Sequence, residues 1–472
     1  MPKRDDTWPP EEWRELYNQF EIHSAWYSSD PNRLLQMMQA PVSASKAAQA
    51  QQGRICHVPL AADIARVSSA LLFSEEPHIA FKDEDAQSRF EEIYSRSNIP
   101  SRLLEAAEIC AALGGVFLKV NWDQNLADYP ILSVAHPDNA LPLFRFGLLQ
   151  EVTFHKIVRQ DEGGTWRLLE HHTPGEIRME LYRGTPSSLG TQAELGAVPE
   201  TAGLAPVVST GIPRLLAVYV PNILPNRQFR SLTVGQPDIQ GCESLLASLD
   251  EVVTSLLWDV LLGQGRLVGP AEVFRRTDRG EPVFDLHRRC YMGLDIPGAA
   301  NASTGQLLDV VQFEIRTQQH IETALYYAEQ VVNAAGYSPQ TFGLKIEGRA
   351  ESGIALTMRE RKTFVTAAKK ASYWAPELAE IFEILLMVDA VHLRSGVSPS
   401  RPHVEIQDSV RPDIRELAQT AELLARAQAA SVETRVRLIH PDWPEDMVAA
   451  EVQRVMDEQG LSVPDAMQIG IA

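Results

Sequence analysis

The chain has 472 residues, 44% of them apolar and 22% charged, which is enough to bury several cores in two to four structural regions and excludes a disordered, collagen-like or coiled-coil protein. Forty-three Lys and Arg stand against 62 Asp and Glu, a net charge of −19, so a protein that grips nucleic acid by neutralising phosphates is excluded as well. Any contact with DNA is expected to be local, and an acidic wall would let a duplex slide.

The start, MPKRDDTWPPEEW, lacks the apolar core of a signal peptide, and no apolar run of about 18 residues occurs, so no membrane partner is expected. Residues 9–27 read as a short amphipathic helix entered through Pro9 and Pro10, and 40–52 as a small, polar connector. From Pro59, Ile64, Val67, Leu71 and Leu72 recur at helical spacing, followed by the extended HIAF; 102–113 is a second helix stopped by Gly114-Gly115, and VFLKVNW is a strand.

Between Pro130 and Pro221 the apolar period falls to two, as in Val152 and Phe154 or Ile177, Met179 and Leu181, with hairpin turns at Glu162-Gly163-Gly164 and Pro174-Gly175. After Pro237 a stripe from Leu245 to Leu261 predicts a helix over 239–262, about 36 Å long, capped by Asp238 and closed by Gly263. About fifty residues of short strands follow, and a second long helix runs over 314–335. A third starts near Ser352, and Pro376 is expected to kink or divide it. From Pro412 the chain is helical again, with Ile414, Leu417, Ala421 and Leu424 on one face, Val448, Val452 and Val455 on a last helix, and His440–Pro444 as a turn between.

The search for catalytic chemistry finds no complete motif. Gly343 to Gly348 has the gap of a phosphate-binding loop, but Arg349-Ala350 stands where Lys and Ser or Thr must hold phosphate and magnesium. Gly263-Gln264-Gly265 follows a helix, where a dinucleotide fingerprint follows a strand. Cys56, Cys110, Cys242 and Cys290 lack metal-site spacing and read as buried thiols, and His171-His172 would point to opposite faces of a strand. No cofactor, metal or catalytic residue is predicted. The run Arg359, Arg361, Lys362, Lys369 and Lys370 places Arg359, Lys362 and Lys369 on one helix face, suited to phosphate, to salt bridges between subunits, or to solvent.

The order of these parts, with passages such as HVPLAADIARVSSALLFSEEP, GCESLLASLDEVVTSLLWDVLLGQGRLVGP, AGYSPQTFGLKIEGRAESGIALTMRERKTF and KKASYWAPELAEIFEILL, resembles the portal proteins of long-tailed bacteriophages, in wording those of actinobacteriophages. The resemblance implies an α+β portal fold: an arm over 1–58, a β-rich wing over 59–237, stem helices over 238–262 and 314–337, a small α/β clip over 263–313, a tunnel loop over 338–353, a kinked long helix over 354–410 and a helical crown over 411–472. It further implies a non-enzymatic ring of twelve copies at one capsid vertex of the virion, assembled from subunits made in the host cytoplasm. Its partners would be double-stranded DNA passing without sequence specificity, the terminase large subunit, a head–tail adaptor, and major capsid and scaffolding proteins. In the loop, Gly343, Gly348 and Gly353 allow changes of shape, and Lys345 and Arg349 would touch phosphate or serve loop solubility. The alternatives are another head–tail connector or minor capsid protein, or a nuclease built on scattered carboxylates.

Overall fold

A computed structural model describes residues 7–38, 55–263, 266–270, 291–294, 309–311, 314–344, 353–406, 414–440, 443 and 445–458. The chain divides into two units, one of residues 1–346 and 360–407, the other of 347–359 and 408–472. The fold is α+β, as the sequence predicts.

In the first unit, helices α1 (Glu11–Ser28), α2 (Pro31–Met38), α3 (Leu60–Phe73), α4 (Glu84–Arg96) and α5 (Ile99–Leu113) precede a run of strands. Residues 11–38, expected within an arm, are packed: Leu16, Phe20, Ala25, Trp26 and Leu34 are buried in the two larger cores. Strand β1 (His78–Ala80) lies between α3 and α4, and β2 (Gly115–Asn121), β3 (Ile131–Ala135), β4 (Ala140–Arg145), β5 (Leu148–Asp161), β6 (Gly164–Thr173), β7 (Glu176–Thr185), β8 (Ser188–Ala193), β9 (Val207–Ser209) and β10 (Ala217–Pro221) follow α5. The period-two region becomes the antiparallel meander β4-β5-β6-β7-β8, with β9 added beside β7. Its turns fall at 162–163 and 174–175, where glycine meets the need for positive φ at Gly164 and Gly175. His172 is buried against Phe154 while His171 turns the other way, toward Thr153 and Glu180.

Strands β2, β3 and β10 form a second sheet that packs on α5. The step from α5 into β2 depends on Gly114, whose φ is +89° and whose carbonyl accepts the Asn222 N–H at 3.0 Å. A Cβ there would lie 2.7 Å from Pro237 Cδ and 2.8 Å from the Gly235 carbonyl oxygen.

The two long helices expected to form the stem are α6 (Glu243–Leu262) and α7 (Thr317–Ala335). Between them the described residues form one small sheet, β11 (Arg266–Pro270), β12 (Tyr291–Leu294) and β13 (Asp309–Val311), with β11 parallel to β12 and antiparallel to β13. Helix α6 starts four residues later than the sequence predicts, and Asp238 does not cap it; Cys242 holds the cap position without a side-chain bond. The intervening residues turn instead, with Gln240 N–H bonded to the Pro237 carbonyl and Cys242 N–H to that of Ile239. At 20 residues α6 is about 30 Å long.

Helix α8 (Gly353–Val388) passes Pro376 without being divided, and continues into a π-helical turn over Asp389–Leu393. Beyond Lys370 it buries Trp374, Leu378, Ile381, Phe382, Leu385 and Val388 among α3, α4, α5 and β2, so tertiary packing compensates for the donor that proline lacks. Strand β14 (His403–Glu405) then pairs with β1. The second unit contains α9 (Ile414–Arg426), α10 (Val432–Ile439) and α11 (Glu445–Glu458), each packed on the next. Helix α10, which the sequence reading did not separate, is capped by Ser431 accepting the Thr434 N–H at 3.1 Å.

Replacing Gly114 by Ala forces an L-residue into the left-handed region and into Pro237, and is expected to cost about 2 kcal/mol or more. The check is a fall of the thermal unfolding midpoint, beside a control substitution at Gly196, where a Cβ meets nothing within 4 Å.

Candidate functional site

The stem helices lie antiparallel, since Asp259 near the end of α6 meets Arg316 and His320 at the start of α7 while Cys242 and Val331 meet at the other end. One core grips their base through Leu246 and Leu249 of α6 and Ala328, Val331, Val332 and Ala335 of α7, closed by Trp26, Ile64 and Tyr337. Farther out this burial stops. From Glu251 to Leu261 and from Thr317 to Tyr327 every described side chain is half-buried or exposed, including Val260, Ile321, Leu325 and Tyr326.

Three histidines tie α6 to its surroundings. His23 of α1 meets Glu243 at 3.0 Å, His57 meets Asp250 at 2.7 Å, and His320 meets Asp259 at 3.0 Å. Asp250 also accepts the Val58 N–H at 2.9 Å, so a carboxylate in the buried base of the helix is satisfied twice. Arg316 first, and His320 with it, hold the Asp259 carboxyl below the usual carboxylate range.

At the foot of the stem lies a buried ion pair. Lys370 of α8 places Nζ 2.7 Å from both oxygens of Asp238, and the two side chains are 2% and 1% exposed. The ammonium also reaches Tyr337 Oη at 2.8 Å and Ser68 Oγ at 2.6 Å. The carboxylate accepts further bonds from Tyr337 Oη and from Asn222 Nδ2, both at 2.8 Å. Every charge is therefore matched and hydrogen-bonded, the condition under which a pair survives without water. Burial, and then the charge of Asp238, push the Tyr337 hydroxyl well above its ordinary pKa, so it stays a donor. Burial likewise raises the neighbouring Cys110 thiol, which is inert.

On the basic face expected of α8, Lys362 and Lys369 are both exposed. Lys362 donates to the Asn333 carbonyl and Lys369 to the Leu224 carbonyl, the latter at 2.9 Å, so both ammoniums bond backbone of the same unit. The side chain of Arg359 lies outside the described residues, as do Lys345, Arg349 and Cys290. Lys370, which lies off that face, sits at the centre of the cluster; the sequence carries a signal for it, because 363, 366, 370, 374, 378 and 381 form one stripe and a lysine in phase with buried residues needs a buried partner.

Among the described residues no group of His, Cys, Asp and Glu is arranged to hold a metal ion, and no helix is long and apolar enough to cross a membrane. A cleft of about 480 Å³ lies between the β4–β5 hairpin and α8 and is lined by residues that include Tyr219, Tyr373, Glu377 and Glu380. Burial, with the nearby Glu380 charge, raises the Glu377 carboxyl to about 7, but the lining holds no nucleophile–base pair.

The helix pair is thus anchored at its base among α1, α2 and α3, and the charges buried beside it are matched. The chain belongs to the SPP1 Gp6-like phage portal protein family, whose model matches residues 26–462; this is a structural family, not an enzymatic one. Among solved structures, the chain is similar to one in the neck of an empty gene transfer agent (GTA) particle computed with C6 symmetry, at 12% identity over 85% of this chain and 95% of that one, with a TM-score of 0.44. It is similar also to one in the neck of the native GTA particle computed with C12 symmetry, at 12% identity over 82% and 90%, with a TM-score of 0.41. The comparison with curated proteins gives no match.

Removing the ammonium by Lys370→Met leaves a buried carboxylate without its partner and is expected to cost about 3–5 kcal/mol. The double variant Lys370→Met, Asp238→Asn is expected to recover most of that loss, and thermal unfolding of the four members of the cycle measures it.

Proposed function

We propose that this chain is the subunit of a twelve-membered portal ring at one vertex of a phage capsid, through which double-stranded DNA is packaged and later ejected. The observation that carries the reading is the stem. Val260, Ile321, Leu325 and Tyr326 stand exposed on a helix pair whose outer half has no core of its own, and such a surface calls for neighbouring copies around an axis. Family membership supports the same assembly.

On this reading the stem helices line the channel. Residues 243–262 and 314–335 carry seven Asp and Glu against one Arg, so the lining repels phosphate and lets the duplex slide. Residues 338–353 form the loop that approaches DNA, where Lys345 and Arg349 touch phosphates without reading sequence. Residues 59–237 are the wing and 263–313 the clip, which meets the terminase large subunit during packaging and the head–tail adaptor afterwards. Residues 354–410 return to the wing and 411–472 form the crown. Major capsid and scaffolding proteins surround the ring, and the protein resides in the virion after synthesis in the host cytoplasm.

Electron microscopy of the purified chain, with native mass spectrometry to count subunits, is expected to show closed rings of about twelve copies around a hole of roughly 20 Å or more. A chain that remains monomeric both alone and in assembled particles overturns the proposal. Lys345→Ala with Arg349→Ala is expected to leave ring formation intact and lower the DNA retained by filled particles; unchanged retention removes these two residues from the DNA path.

A further inference from the structure

The cleft between the β4–β5 hairpin and α8 holds a carboxylate that the fold leaves unmatched. Glu377 stands half-buried in its wall, and no described residue hydrogen-bonds or ion-pairs with it. The two guanidiniums nearby are engaged elsewhere: Arg214 bonds Glu380 at 2.8 Å and Glu383 at 2.6 Å, and Arg401 donates to the Pro376 carbonyl at 3.0 Å. Asp238, Asp250 and Asp389, by contrast, are each met by a cation or an imidazole. Burial without a partner is what raises the Glu377 carboxyl to about 7, with the Glu380 charge adding to it and Arg401 working against it.

Pro376 opens a second acceptor in the same wall. Its nitrogen carries no hydrogen, so the carbonyl four residues earlier, that of Ser372, loses its helical donor, and Ser372 and Pro376 both line the cleft. The packing that carries α8 through its proline thus leaves a carbonyl and a carboxylate beside one space. Tyr219 and Tyr373 give that space aromatic walls, and the Tyr219 hydroxyl already accepts the Gly235 N–H at 2.9 Å. The hairpin side brings Phe144, Leu149 and Gln150 and no charge.

An unmatched anion, a carbonyl and aromatic rings are together what a guanidinium needs. It carries five N–H donors in a plane, stacks on rings and sheds water more readily than an ammonium, so arginine fits better than lysine. Phosphate is repelled, which excludes nucleic acid as the occupant. The mouth is apolar: Phe146 and Leu148 at the hairpin tip are 93% and 68% exposed, a bare surface that the flanks of a polypeptide can cover and a small amine cannot.

We propose that this cleft binds one arginine side chain of a partner polypeptide, with the guanidinium against Glu377 and the Ser372 carbonyl and the apolar flanks on the hairpin tip. The site is independent of the ring and of the path of DNA. Arrival of the cation favours the ionised carboxylate, so a proton leaves Glu377 as arginine binds, and binding strengthens as pH rises through about 7. The other charged and titratable groups around Glu377 are Glu380 with its partner Arg214, Arg401 and the two tyrosines.

The test titrates a capped peptide, Leu-Ala-Arg-Ala-Leu, and its twin with neutral citrulline in place of arginine, into the full chain in a calorimeter. The arginine peptide is expected to bind roughly tenfold more tightly at about pH 8 than at about pH 6, and at about pH 8 the citrulline peptide roughly tenfold more weakly than arginine. Glu377→Gln keeps the shape of the wall and removes an unmatched charge, so its unfolding midpoint is expected to hold while the preference for arginine and the pH dependence both vanish. No binding of the arginine peptide at about 1 mM, equal binding of the two peptides, or an arginine preference that survives Glu377→Gln overturns the proposal.

Discussion

A lysine and an aspartate that surrender their water must keep each other, and the arrangement of the first unit follows from where Lys370 and Asp238 meet. The ammonium comes from α8, the carboxylate from the entry to α6, the phenol of Tyr337 from the exit of α7, and the hydroxyl of Ser68 from α3. Leaving either charge alone in that interior costs several kcal/mol, so alternative placements of these four elements that separate the pair are strongly disfavoured. The apolar residues around it supply most of the burial energy, but they are less selective: Val331 or Leu246 would be content against many neighbours, whereas the ammonium requires these oxygens.

The stem inherits its direction from this point. Both of its ends are fixed at the cluster, its inner turns are held in an apolar core, and its length is tied by His23, His57 and His320 to carboxylates spaced along α6. Its outer turns keep apolar side chains half in water. A helix pair buried at the base and unsatisfied at the tip is a poor end state for an isolated chain and a natural one for a member of a ring, whose neighbours complete the missing layer. The family is a structural one, and the ion pair buried at the foot of the stem is matched charge for charge.

Much of this was legible in the sequence because it depends on local periodicity. The meander over 140–193, the helices ending at Leu113 and Ala335, the turn glycines and the acidic balance of the chain all follow from apolar spacing, from positions that only glycine occupies cheaply, and from simple charge. Less legible were the boundaries. Asp238 resembles a helix cap in every local respect, and α6 nevertheless begins at Glu243, because a buried ammonium competes for the same carboxylate more strongly than a backbone N–H does. Pro376 is expected to kink or divide α8, and the helix runs through it undivided, because packing around Trp374, Leu378 and Phe382 outweighs one missing hydrogen bond.

By itself, then, the sequence determined the elements, their order, the acidic balance of the chain and the lack of a catalytic motif, none of which depends on contacts between distant residues. Only the tertiary structure decided which charge meets which. The phase of α8 places Lys370 on its buried stripe, but nothing local says that its partner lies 132 positions earlier, or that Lys362 and Lys369, outwardly similar, bond carbonyls of their own unit. Pairing across such distances is set by the packing of whole elements, and the strength of a buried charge pair depends on the water that this packing excludes.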